Sequence, residues 1–270
     1  MTIHAEELEI GPGGVSASWE SGALWAARLG LLAVFIAVWW FASSRLPPYI
    51  LPGPLAVLVE IQRLISTPTF STDVLTTLGR VTAGFLIALG IGTPLGVVLG
   101  ANRSAGAVFE PLLPIVNSIS SAIWATLAIL WFGLSGVATI FVVFMTALPL
   151  IVTNVWQGTR SVNADLVEVG NALHMSKAAI LIKIYLPSIL PYLFSGSRLA
   201  FGFGWRVSLV AETLGSSSGI GYRIRQAADL LQLAQVFAWT IILVIIMSLL
   251  ELVVFQPAER YLFRWRREAR

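Results

Sequence analysis

The stretch Asp165 to Pro187, DLVEVGNALHMSKAAILIKIYLP, is a long polar interruption between two strongly apolar regions. It holds Lys177 and Lys183, the two lysines of the protein. Leu166, Val169 and Leu173 fall on one helical face, and Ile180, Ile184 and Leu186 continue an apolar pattern beyond His174-Met175-Ser176. The spacing therefore predicts two short helices with a break at those three residues. Pro187 predicts a boundary, because the residue before a proline is pushed out of the helical region. A helix-turn-helix of this kind between membrane spans is suited to being gripped by something outside the membrane.

Composition supplies the membrane. The chain has 270 residues, 57 % hydrophobic and 11 % charged, with a mean hydropathy of +0.83. Soluble domains carry about a quarter charged residues, so the chain reads as an all-α polytopic membrane protein. The net charge of +3 comes from cations clustered beside the spans, where they set orientation. There is no cysteine, which removes disulfides, thiol catalysis and thiolate metal sites together. His4 and His174 are the two histidines, too few and too far apart for a metal cluster or a histidine-based triad.

Outward from the interruption, six spans are predicted. Residues 1–21 read as a flexible tail rich in Glu and Gly, without the pattern of a cleavable signal. Span one is Leu24 to Ser43, about the 20 residues a bilayer needs, with Trp25 and Trp39-Trp40 near its ends. Leu55 to Ile65 has an apolar and a polar side and is expected to lie on the surface. Span two, Leu75 to Leu99, carries Gly92, Gly96 and Gly100 four apart, a row that permits close helix contact, and Pro94, which is expected to bend it. Span three, Leu112 to Phe132, carries Asn117, Ser118, Ser120, Ser121 and Trp124, groups expected to face protein or a wet cavity rather than lipid. Span four is Val137 to Trp156, joined to span three by the turn Gly133 to Gly136. Span five is Ile189 to Leu214 and span six Val236 to Phe255. The membrane-spanning body is thus 22–258, with the interruption at 158–188 and a basic tail at 259–270.

An even number of spans puts both ends on one side. Arg103, Arg160, Lys177, Lys183 and the tail arginines Arg260, Arg264, Arg266, Arg267 and Arg270 share that side. The other has Arg45, Arg63, Arg223 and Arg225, partly offset by Glu60, Asp73 and Asp229. The positive-inside bias therefore places both termini and the interruption in the cytoplasm. Within the spans, Arg206 and Glu212 are candidates for facing an interior path, with pairing of Arg206 to Glu212 or to a span-three carbonyl as the structural alternative. Trp124 and Trp205 are candidates for narrowing that path. Arg198 and Glu251, level with each other near the inner ends of spans five and six, are expected to form a structural ion pair.

The interruption resembles the cytoplasmic signature of ABC importer membrane subunits, E-A-A, three residues, G, nine residues, I-x-L-P. Glu168-Val169-Gly170 stands for E-A-A, His174 for the glycine, and Ile184-Tyr185-Leu186-Pro187 closes it at full spacing. The glycine position is one where positive φ is cheap only for glycine, with histidine among the more tolerant replacements. LPGP at Leu51 to Pro54, TTLGRVTAGF at Thr76 to Phe85, LAILWFGLS at Leu127 to Ser135, LVAETLGSSSGIGY at Leu209 to Tyr222 and RYLFRW at Arg260 to Trp265 are similar to the nitrate/sulfonate/taurine group of these permeases. That group carries a proline-rich run in span three, where this chain has Asn117-Ser118-Ile119-Ser120-Ser121.

The resemblance implies a type I importer transmembrane fold. It also implies a homodimer of permease copies in the bacterial inner membrane, two ABC ATPase subunits that bind ATP and Mg, and an extracytoplasmic substrate-binding protein. The implied solute is a small anion. Glu168, Val169, Gly170, Leu173, His174, Met175, Ser176 and Lys177 would contact the ATPase, and Asn117, Ser118, Ser121, Trp124, Arg206 and Glu212 would line the path. The chain contains no G-x-x-x-x-G-K-[ST] loop, so a cofactor site within it is not expected. No nucleic-acid partner is expected either. The other reading is a stand-alone secondary transporter or channel, which leaves the long interruption unexplained.

Overall fold

The computed structural model describes residues 17–262, with side chains from residue 25 onward. Most of the predicted tail 1–21, and Arg264, Arg266, Arg267 and Arg270, lie outside the described residues. The chain divides into two units, Met1–Leu55 and Ala56–Arg270.

In the first unit α1 (Ala17–Arg45) is apolar over Trp25–Arg45, long enough to cross a bilayer. The Trp39 indole N–H donates to the Pro52 carbonyl at 3.1 Å, tying the helix end to the turn that follows.

The second unit starts within α2 (Pro54–Ile65), which buries Val57 and Leu64 beneath its polar Glu60–Arg63 pair. It continues with α3 (Phe70–Ala101), α4 (Arg103–Phe109), α5 (Leu112–Ser118), α6 (Ser121–Phe132) and α7 (Gly136–Arg160). After these come α8 (Ala164–Ala172), α9 (Lys177–Ile180), α10 (Leu186–Gly215), α11 (Ile220–Asp229), α12 (Leu233–Leu250) and α13 (Gln256–Leu262). Five helices among the described residues are long and apolar enough to span, six if the bent pair Arg103–Ser118 and Ser121–Phe132 counts as one span.

The core forms around α7, which packs along both α3 and α10. The glycine row of α3 makes the first contact possible. A Cβ on Gly96 would sit 2.7 Å from Val155 Cβ and 2.9 Å from the Val152 carbonyl, so backbones approach as only small residues allow. Ala88, Ala147, Ile151, Val155, Ile189 and Ala200 fill the space where the three helices meet.

Two expectations about the spans are corrected. Span three is not one rod: α6 turns 88° away from the helices before it. Ile119 and Ser120 are extended (ψ 120° and 142°), and Ser120 Oγ accepts from Ala122 N while Ser118 Oγ donates to Ile115 O. The polar run is therefore the break itself, its hydroxyls serving backbone groups that the missing turn leaves free. Pro187 does not end a helix. Leu186 stays helical (φ −59°, ψ −47°), and a π turn, Leu181–Tyr185, leads into α10, so the rod is continuous over Lys177–Gly215. The wider turn eases the clash between a proline ring and the carbonyl four residues back. The segment between spans five and six, to which the sequence reading assigns no element, contains the amphipathic helix α11.

Candidate functional site

The polar interruption folds as a capped knuckle. Asn163 Oδ1 accepts from Asp165 N at 2.9 Å to start α8, and Ser176 Oγ accepts from Ala179 N at 3.2 Å to start α9. Between them α8 ends with two diagnostic bonds: Met175 N donates to Gly170 O at 3.0 Å, and His174 N to Asn171 O at 2.9 Å. This is a Schellman closure with His174 at its left-handed position, φ 55°. The signature glycine's conformation is thus retained by histidine. His174→Gly is expected to slow, and His174→Val to speed, exchange of the His174 and Met175 amides, since a left-handed residue with a Cβ costs about 1–2 kcal/mol. Exchange mass spectrometry checks this.

The knuckle has an inner and an outer side. Gly170 is buried, and a Cβ there would meet Ile184 Cδ1 at 3.1 Å and Ile180 Cγ1 at 3.3 Å, so α8 folds back on the following helix. Leu166, Val169 and Leu173 face outward, 52 %, 55 % and 70 % exposed. Glu168, His174, Ser176 and Lys177 are exposed beside them, while Met175 is half-buried. An apolar row on a short helix with a charged border is an arrangement that a partner covers.

The residues expected on a translocation path separate into two groups. Asn117, Ser118 and Arg206 are exposed on this chain and Ser121 is half-buried. Arg206 makes no ion pair among the described residues. Trp124 and Glu212 are corrected to core positions. Trp124 packs with Val142, Val207 and Ala211 and meets Phe141 edge-on at 6.2 Å. Trp205, expected to narrow the path, is likewise buried.

Glu212 is fully buried and is held by another helix, not by Arg206. Arg80 Nη1 donates to Glu212 Oε1 at 2.8 Å, and Thr77 Oγ1 donates to Glu212 Oε2 at 2.8 Å. Arg80 also donates to Ser216 Oγ, to the Ser218 carbonyl and, through Nη2, to Ser218 Oγ. The start of α11 is capped from outside itself: Gly219 N by Asp73 Oδ1, Ile220 N by Thr77 Oγ1, and Gly221 N by Glu212 Oε2. Asp73 Oδ2 further accepts from Arg223 Nε at 2.7 Å. Gly219 is required here, with φ +101° and a Cβ that would lie 2.6 Å from the Glu212 carboxylate. The knot joins α3, α10 and α11 and draws Thr77, Arg80, Glu212, Ser216 and Ser218 from the phrases at Thr76 to Phe85 and Leu209 to Tyr222. Sequence reading missed Asp73, Thr77 and Arg80; the only local signal was an arginine among the apolar residues of span two.

At the other end of α10, Arg198 donates to Glu251 and to Glu259, the latter at 2.9 Å. Glu259 adds a second carboxylate to the expected pair.

Residues 92–266 match the family described as binding-protein-dependent transport system inner membrane component. A Bacillus subtilis (strain 168) protein provisionally named aliphatic sulfonates transport permease protein SsuC is 31 % identical, over 97 % of this chain and 94 % of its own. The bicarbonate transport system permease protein CmpB of Synechococcus elongatus is 34 % identical over 72 % of this chain and 73 % of its own. Its nitrate import permease protein NrtB is 31 % identical over 73 % and 74 %. Among solved structures, an inward-facing conformation of the MetNI methionine ABC transporter superposes with a TM-score of 0.63 at 20 % identity, covering 71 % of this chain and 95 % of that one. At that identity the likeness concerns the fold.

Proposed function

The chain belongs to the family of binding-protein-dependent transport system inner membrane components, ABC importer permease subunits, and from this we propose that α8 and its turn are where a separate ATPase drives it. Permeases of this family are multi-pass inner-membrane proteins that work with an ATPase and a substrate-binding protein. In our reading two copies of this chain enclose the path and two ATPase subunits bind ATP and Mg beneath them. Both termini and α8 lie in the cytoplasm, as the basic bias of the loops favours. The observation that carries the coupling role is the outward apolar row Leu166, Val169 and Leu173 on a helix capped at both ends. Such a row docks into a groove, with Leu173 as anchor and Glu168, Ser176 and Lys177 setting orientation.

For the solute, we propose a small anion. The relatives named above carry sulfonate, bicarbonate and nitrate in their names, and Arg206 supplies a matching charge on an exposed face of α10. Co-purification tests the coupling. Leu173→Asp is expected to cut recovery of the separately expressed ATPase about tenfold, as loss of a central apolar anchor does. Uptake that persists without any ATPase would instead support the stand-alone transporter.

A further inference from the structure

Span six ends in a π turn, Glu251–Phe255, closed by Gln256 N donating to Glu251 O and followed directly by Pro257. Glu251, at its start, and Glu259, beyond it, both accept from Arg198 of α10. In a regular helix of about 3.6 residues per turn these two positions lie roughly 80° apart, poorly placed for one guanidinium. The wider turn takes back part of that angle. Phe255, inside the turn, packs on Phe201 at 5.2 Å and Phe194 at 6.4 Å, both on α10. Side chains at the start of the turn, within it and beyond it therefore meet the same helix.

We infer that the π turn sets the register of a two-carboxylate clamp on Arg198, which makes α12 and α13 part of the lever that begins at Lys177. Arg198, Glu251 and Glu259 are positioning residues: they touch no solute and act by holding spans five and six together. The continuous rod Lys177–Gly215 starts at the knuckle, so a push received there reaches span six through this clamp. The lever rests on the coupling reading of α8; the clamp itself does not.

The absence of cysteine makes the test direct. Spin labels at Ser195→Cys and Tyr261→Cys, in doubly labelled chain diluted with unlabelled chain, report the distance between α10 and α13. In the complex with ATPase and binding protein, one narrow distance is expected in both the nucleotide-free and the ATP-trapped state. Glu259→Gln, or deletion of Val253 to shorten the π turn, is expected to broaden it and to lower solute moved per ATP about threefold. Combining the two changes is expected to add nothing. A wild-type distance that changes between the two states, or losses that add, overturns the proposal. The same labels in the permease alone decide the clamp separately: broadening by Glu259→Gln there supports it even if α8 variants leave ATPase binding untouched, and no broadening overturns it.

Discussion

Arg80→Ala is expected to remove most of the protein from the membrane and to lower the thermal unfolding midpoint of what remains. Removing one partner of a buried ion pair leaves the other charge uncompensated and costs about 3–5 kcal/mol. The Glu212 carboxylate is fully buried, and the same arginine also serves Ser216 and the Ser218 carbonyl and hydroxyl, so four acceptors lose a donor at once. Against a total stability of about 5–15 kcal/mol this is a large fraction, on the order of 10 °C in a chain of this size. Arg80→Lys should fall between, because an ammonium is a point charge without the planar fork. Abundance in membranes and a thermal melt in detergent check both variants. A wild-type melt for Arg80→Ala would mean that the knot contributes little, and that packing along α7 alone holds α3 and α10.

Arg206→Ala should do the opposite: leave assembly intact and abolish most uptake. Arg206 lies within α10, about 14 Å from the helix end at Gly215 at 1.5 Å per residue. An arginine facing lipid at depth costs about 2.5–3.5 kcal/mol or more, so an exposed one on a single chain marks a face covered by another chain or by water. If that face is the path, losing the charge weakens capture of an anion, and initial uptake should fall at least about tenfold, one 1.4 kcal/mol step. Basal ATPase activity of the complex should stay unchanged, because the knuckle is untouched. Arg206→Lys should recover part of the uptake, since it restores charge without the guanidinium geometry. Normal uptake by Arg206→Ala would assign the residue to packing between copies.

Part of the chemistry that acts within a few residues was legible in the chain. The break at His174 to Ser176 follows from where the apolar rhythm stops, whereas the caps Asn163 and Ser176 emerged with the structure. The left-handed turn was readable for the same reason, because a Schellman closure spans only six residues. The spans follow from hydropathy and the glycine row of α3 from its spacing. Local rules failed where they were taken as final. Pro187 predicts a boundary, yet a π turn absorbs it. The polar run Asn117 to Ser121 reads as one face of a span, yet it is a corner.

The sequence by itself determined that this is a helical membrane protein with a polar helix-turn-helix between spans, because periodicity and hydropathy act over one or two helical turns. The tertiary structure alone decided which charge Glu212 meets. Arg206 is near it in sequence, but Arg80, 132 positions away, is the residue that reaches it. Six residues apart on one helix, Arg206 and Glu212 point to different sides, whereas residues distant in the chain meet only where packing brings their helices together. The desolvated carboxylate pairs with whatever cation that packing delivers.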